Sequence, residues 1–135
     1  MIRTLGFTKD NNVVADFPLD ELHTFDFDWY WVDFDQPTPT ENTYLDTVFH
    51  FHPLAIEDSL MRLQRPKIDY YDDCHFLVVH KMNSIELEAE EVNIFIASNF
   101  IVTYHKTPVP EIETARKRVL NQPGDWERGS YYAMY

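Results

Sequence analysis

The segment that most constrains the fold runs from His52 to Lys67, with the sequence His-Pro-Leu-Ala-Ile-Glu-Asp-Ser-Leu-Met-Arg-Leu-Gln-Arg-Pro-Lys. Pro53 suits the first turn of a helix, where its missing N–H is no loss. Pro66 disfavours helical geometry at the residue before it. The two prolines therefore predict a short helix between them. We expect its apolar side chains to be buried, namely those of Leu54, Ile56, Leu60 and Leu63.

Two adjacent carboxylates, Glu57 and Asp58, lie on this predicted helix. Neighbouring helical residues are about 100° apart around the axis, so we expect both at the exposed edge of the helix. A hard divalent cation prefers such oxygen ligands. An ordinary pair of solvated charges is the competing interpretation, because charged residues normally lie at the surface. The residues alone leave both interpretations open.

The basic residues Arg65 and Lys67 flank Pro66, whose ring fixes the local backbone direction. We expect them to form structural salt bridges with acidic residues that follow closely in the chain, Asp69, Asp72 or Asp73. Solvated charges on a loop are the alternative. His52, directly before Pro53, is expected to pack against the helix or to cap it.

Strand and helix signals alternate along the chain, which predicts a mixed α/β domain. Ser98-Asn99 separates two apolar runs and predicts a hairpin turn. We expect strands at Ile2–Phe7, Val13–Val14, Trp29–Phe34, His75–Met82 (as a central strand), Glu91–Ala97 and Phe100–His105. We expect helices at Pro18–Leu22, Glu41–Phe49 (capped by Thr40) and Glu111–Leu120, the last with Ile112, Ala115 and Val119 on one face.

Composition and charge disfavour several classes of protein. The chain has 135 residues, enough for one domain. Its 11 basic and 23 acidic residues give a net charge of −12, which disfavours binding to nucleic acid or to an anionic membrane surface. A single cysteine, Cys74, is typical of a reducing compartment. No segment approaches the roughly 18 apolar residues of a membrane-spanning helix.

Two alternative functions remain possible from the residues alone, an enzyme such as a zinc-dependent hydrolase and a metal-free protein-interaction domain. The histidines, His50, His52, His75, His80 and His105, could bind zinc in a hydrolase, although their spacing matches no usual four-ligand site. Acidic residues such as Asp33 and Asp35, or Glu88, Glu90 and Glu91, could act as general acid and base. Because nothing marks a nucleophile beside them, we expect no enzyme. A metal-free protein-interaction domain is the second alternative.

Six segments together carry a resemblance: Trp31–Asp33, His52–Asp58, Gln64–Lys67, Tyr70–Asp73, Glu90–Val92 and Tyr131–Ala133. In this order, and at similar spacing, they resemble the cytoplasmic domain of CorA-type magnesium transporters. The resemblance extends from about Trp29 to Tyr135, and the segment from His52 to Lys67 is its most specific part.

The resemblance implies an α/β/α layered domain with a mixed, partly antiparallel central sheet. It implies a cytoplasmic regulatory domain over residues 1–128 and, at 129–135, the start of a helix that leads to a stalk. The parent would be a homopentamer on the cytoplasmic side of the cell membrane, anchored only through a further C-terminal segment. The isolated domain would be soluble.

The same resemblance implies a function and a site. Mg²⁺ bound between neighbouring subunits would close the pore, and its loss would open it. In the family, the aspartate of the Pro-Leu-x-x-Glu-Asp segment is a regulatory ligand, which corresponds to Asp58. The preceding glutamate, here Glu57, is associated with a second cation. Co²⁺, Ni²⁺ or Zn²⁺ are the alternative bound or transported ions.

Overall fold

A computed structural model describes residues 1–61, 65–82 and 89–121. The strands are β1 (Ile2–Thr8), β2 (Val13–Ala15), β3 (Phe27–Asp35), β4 (Lys67–Tyr70), β5 (His75–Met82), β6 (Ala89–Ile96) and β7 (Phe100–His105). The helices are α1 (Pro39–Asn42), α2 (Tyr44–Thr47), α3 (Pro53–Leu60) and α4 (Pro110–Asn121), with a 3₁₀ turn at Leu19–Glu21. The predictions for Leu63, Gln64, Glu88 and residues 129–135 lie outside the described residues.

The strands form one seven-stranded sheet in the order β2-β1-β3-β7-β6-β5-β4. Neighbouring strands are antiparallel except β3 and β7, which run parallel and pair Asp33 with Thr103. The predicted mixed sheet and the hairpin of β6 and β7 are therefore confirmed. The central position expected for the strand from His75 to Met82 is wrong, because that strand lies one from the edge and β7 occupies the middle.

Helices cover both faces of the sheet. Side chains alternate between the two faces along each strand, so both faces carry apolar residues that a helix can bury. On one face, Leu45 of α2 and Ala55 of α3 pack with Val32, Phe34, Phe95 and Val102 of the sheet. On the other face, α4 packs its predicted apolar residues Ile112, Ala115 and Val119 against the sheet. The predicted α/β/α layering is confirmed. No helix in the described residues is long and apolar enough to cross a membrane.

The orientation of α3 differs from the sequence prediction. The helix begins at Pro53 as expected, but Leu54 is 57% exposed and Leu60 is 44% exposed. The fully buried positions are instead Ala55 and Ser59. Small side chains allow a helix to approach a sheet closely, so the face with Ala55 and Ser59 is the one that packs. This rotation places Asp58 beside the sheet.

The helical segment after β3 also begins earlier than expected. Thr38, not Thr40, is the N-cap of α1: its side chain accepts a hydrogen bond from the backbone of Glu41. The Glu41 carboxylate accepts one from the Thr38 backbone in return. This reciprocal arrangement is a capping box. The predicted single helix is divided into α1 and α2.

Candidate functional site

The start of α3 is fixed by His52. Its Nδ1 accepts a hydrogen bond from the backbone N–H of Leu54 at 3.1 Å, which satisfies one of the free donors at the helix N-terminus. The imidazole ring also stacks on Tyr71, with ring centroids 4.5 Å apart. The expectation that His52 packs against the helix or caps it is confirmed for the cap, whereas its ring packs on Tyr71. The contacts anchor the helix that carries Glu57 and Asp58.

Asp58 belongs to a charged group centred on Lys67, on the face of the sheet that α3 covers. The Nζ of Lys67 is 2.5 Å from Oδ2 of Asp58 and 2.9 Å from Oδ2 of Asp69. We call these three residues the open cluster, because their side chains are partly exposed: 21% for Asp58, 32% for Lys67 and 36% for Asp69. The predicted salt bridge between Lys67 and Asp69 is confirmed, whereas the contact with Asp58 was not predicted.

The electrostatics of the open cluster follow from two carboxylates around one ammonium. The hydrogen bond with Asp58, followed by that with Asp69, raises the pKa of Lys67. Burial, followed by the charges of Asp69 and Asp58, raises the pKa of the nearby Tyr71 phenol. The cluster thus carries one net negative charge at neutral pH. A cation that approaches Asp58 meets an attractive but partly neutralised carboxylate.

Glu57 is exposed on α3, next to the half-buried Asp58. Carboxylates on a solvent-facing helix provide the hard oxygen ligands that Mg²⁺ accepts while keeping several of its waters. Within residues 1–61, 65–82 and 89–121, no three His, Cys, Asp or Glu side chains come together as a complete metal site. By the chemistry of their oxygen donors alone, Glu57 and Asp58 fit part of a magnesium site. The assignment of Glu57 and Asp58 as ligands stays a prediction.

A second charged group lies inside the other layer, where β3 and β7 end. We call Trp31, Asp33, Thr103 and His105 the buried cluster. The indole N–H of Trp31 donates to Thr103 Oγ1 at 3.0 Å, and this hydroxyl donates to Asp33 Oδ1 at 2.6 Å. His105 Nε2 lies 3.0 Å and 3.1 Å from the two oxygens of Asp33.

The hydrogen bonds of His105 define its charge. Its Nε2 faces the Asp33 carboxylate and its Nδ1 faces the carbonyl oxygen of Thr107 at 2.7 Å. A carbonyl oxygen and an ionised carboxylate both accept, so this geometry favours the imidazolium form, in which both ring nitrogens donate. Burial opposes this charge, but the hydrogen bond and the charge of Asp33, with contributions from Thr107 and Asp35, raise the pKa of His105.

The buried cluster answers two questions that the sequence left open. Asp33, a candidate acid or base, and His105, a candidate zinc ligand, form an internal ion pair with side chains 7% and 3% exposed. Both side chains are therefore almost inaccessible to solvent. Sequence reasoning missed the pair of Asp33 and His105. Asp33 lies opposite Thr103, two residues before His105, in the parallel strands β3 and β7. Only the register between these strands reveals this proximity.

The comparisons with known proteins agree with this architecture. Residues 26–134 match the family model described as "CorA-like Mg2+ transporter protein". "Putative metal ion transporter YfjQ" of Bacillus subtilis (strain 168) is 40% identical over 135 residues, which is all of this chain and 42% of that protein. "Cobalt/magnesium transport protein CorA" of Thermotoga maritima is 29% identical over 80 residues, 56% of this chain and 23% of that protein.

A solved structure has the same fold. The soluble domain of CorA from Methanocaldococcus jannaschii superimposes with a TM-score of 0.70 at 16% identity. The match covers 96% of this chain and 50% of that one. At this identity the likeness concerns the fold alone. The chain also spans less than half of the length of the curated relatives named above.

Proposed function

The chain belongs to the CorA-like Mg²⁺ transporter family, and we propose that it is the cytoplasmic, cation-sensing regulatory domain of a larger divalent cation transporter. Asp58, with Glu57 beside it, contributes to a Mg²⁺ site between neighbouring subunits of a pentamer. The observation that carries this proposal is the placement of Asp58 on α3, half-buried and in contact with β4 through Lys67. A ligand at this position is joined directly to the sheet of its own subunit.

The incomplete site suits a sensor. A dissociation constant near 1 mM corresponds to only about −4 kcal/mol of binding free energy. One or two carboxylates from each of two subunits, with Mg²⁺ keeping several waters, account for so weak an interaction. In this proposal Glu57 and Asp58 supply one side of the site, and the remaining ligands are water and carboxylates of the adjacent subunit. Full affinity then requires two subunits to be close together, and a single chain holds the ion more weakly.

The regulatory mechanism follows from charge. The chain carries a net charge of −12, so neighbouring copies repel one another. A bound cation screens this repulsion where Asp58 and Glu57 meet the next subunit and favours the closed arrangement. When the cation leaves, the repulsion separates the subunits and the pore opens. The acidic residues hold and orient the ion, and they perform no chemical reaction.

The nature of the ion follows from the ligands. Carboxylate oxygens suit Mg²⁺, whereas neither thiolate nor imidazole is proposed at this site. One relative is named for both cobalt and magnesium transport, which keeps Co²⁺ as an alternative. Ni²⁺ and Zn²⁺ are less well matched to a site of carboxylates alone.

The test is the gating of the full-length transporter with Asp58→Ala. We expect magnesium to close the pore less effectively, with the inhibitory concentration raised at least about threefold, because a charged ligand is lost. Current or ion uptake is measured across a range of internal Mg²⁺ concentrations. Asp46→Ala on α2, an exposed acidic position, is the matched control and should leave inhibition unchanged. Unchanged inhibition in Asp58→Ala would refute the proposal.

A further inference from the structure

The position of Lys67 within the open cluster bears on how a cation reaches Asp58. Its Nζ lies between two carboxylates, at 2.5 Å from Asp58 and 2.9 Å from Asp69. The three residues come from two elements: Asp58 from α3, and Lys67 and Asp69 from β4. The ammonium is therefore held on the very oxygen atom, Oδ2 of Asp58, that a cation could use.

The stem of Lys67 is directed by the sheet. Lys67 pairs with Val78 and Asp69 pairs with Phe76, so alternate residues of β4 face the same core as buried residues of β5. The ammonium lies 5.9 Å from the centroid of the Phe76 ring, a weak cation–π contact. These contacts hold Lys67 beside α3 when no other cation is present.

The contact is nevertheless open to exchange. About a third of the Lys67 side chain remains accessible to solvent. Water and small ions therefore reach the ammonium and both carboxylates. If Lys67 leaves Asp58, it keeps Asp69 as a partner at 2.9 Å and does not become an isolated charge. The cluster thus offers Lys67 two partners and requires only one.

We propose that the Lys67 ammonium is a built-in competitor for the divalent cation at Asp58. It occupies Asp58 in the cation-free state and moves toward Asp69 when the cation binds. This inference rests on the proposed function, because it assumes that Asp58 is a ligand. The competition weakens cation binding, since like charges repel and one carboxylate contact must be exchanged. Lys67 therefore sets the concentration range in which the site responds.

The test is a Mg²⁺ titration of the 135-residue chain, followed by amide NMR at residues 57 and 58 at constant ionic strength. Lys67→Met keeps much of the stem and removes the charge, so we expect about threefold to tenfold tighter binding. Lys67→Arg keeps the charge and should bind within about twofold of wild type. Asp69→Asn removes the second partner and one negative charge, so binding should weaken at least about twofold.

The matched control is Lys81→Met. Lys81 also holds a carboxylate, that of Glu111, at 2.7 Å, and both lie far along the chain from Asp58. The Lys81→Met variant shows how much cation binding is strengthened by the loss of one positive charge that does not contact Asp58. Tighter binding in Lys67→Met than in Lys81→Met supports the inference, whereas equal affinities overturn it. If Lys67→Met does not fold, Asp69→Asn decides, and unchanged or tighter binding there overturns the inference.

Asp58→Asn distinguishes the ligand role of Asp58 from the competition by Lys67. If this variant abolishes the shifts at residues 57 and 58 while Lys67→Met matches its control, the ligand role of Asp58 stands and the competition is refuted. If Asp58→Asn leaves the shifts unchanged, the ligand role fails and the competition fails with it.

Discussion

The buried cluster and the open cluster are built from the same chemistry, a carboxylate against a nitrogen cation, but they differ in exposure. In the buried cluster, the side chains of Asp33 and His105 are 7% and 3% exposed. In the open cluster, those of Asp58 and Lys67 are 21% and 32% exposed. The first pair is fully satisfied by protein hydrogen bonds and is closed to ions. The second remains in contact with solvent and can exchange partners.

The difference teaches that burial determines the role of an ion pair. A charge removed from water must keep its partner, because an unpaired buried charge is very costly. A charge at the surface is stabilised by water and contributes little to stability through its partner. We therefore expect the buried cluster to govern folding and the open cluster to govern cation response. The predictions below test this separation.

The largest effect is expected for Asp33→Asn. The asparagine keeps the shape but removes the charge that balances the His105 imidazolium, so the free energy of unfolding should fall by about 3 kcal/mol. Urea unfolding followed by tryptophan fluorescence measures the loss. Asp26→Asn is the control, because Asp26 is 80% exposed and 3.4 Å from Lys9, and it should change stability by less than about 0.5 kcal/mol. Equal losses in both variants would contradict the comparison.

A smaller loss is expected for Thr103→Val. The Thr103 hydroxyl links the Trp31 N–H to Asp33, so valine leaves a buried donor without its partner and removes one donor from the carboxylate. The free energy of unfolding should fall by about 2 kcal/mol. The same substitution at Thr114, an exposed residue whose hydroxyl bonds the Pro110 carbonyl, is the control and should have little effect. A loss at Thr103 no larger than at Thr114 would mean that the hydrogen-bond chain is not stabilising.

The pH dependence of stability tests the charge of His105. Asp33 raises its pKa above the ordinary 6.5, so the folded protein holds a proton that the unfolded chain releases. This contribution is fully present below about pH 6.5 and is lost as pH rises through the folded pKa. The loss of stability caused by deprotonation of His105 should be smaller than the loss caused by Asp33→Asn, because deprotonation leaves both side chains in place.

The measurement is urea unfolding at a series of pH values from about 6 to 9. Wild type should lose stability over this range, and His105→Gln should show a flatter profile. His23→Gln removes an exposed histidine and should keep the slope of wild type. Identical profiles for wild type and His105→Gln would contradict a raised pKa of His105 in the folded state.

The two clusters also mark what sequence alone could predict. All strands of the described residues except β4, the hairpin at Ser98-Asn99 and the apolar face of α4 follow from local patterns, and the structure confirms them. The contact between Asp58 and Lys67 joins α3 to β4, and that between Asp33 and His105 joins residues 72 positions apart. Such contacts depend on how elements pack, so spacing along the chain does not reveal them.

Two errors have local physical causes. The buried face of α3 was predicted from its leucines, but close packing selected the small residues Ala55 and Ser59 instead. In a helix of eight residues, the apolar pattern is too short to define a face against this effect. The cap at Thr38 was detectable, because Thr38 and Glu41 have the spacing of a capping box.

The smallest effect on stability is expected for Lys67→Met, the variant expected to change cation affinity. Its carboxylate partners remain partly hydrated, and methionine preserves much of the packing near Phe76. The free energy of unfolding should therefore change by less than about 1 kcal/mol, and the change should diminish at high salt. Lys81→Met provides the exposed control in the same urea assay. A loss as large as that of Asp33→Asn would show that the open cluster is a structural pair, and the separation between folding and cation response would then fail.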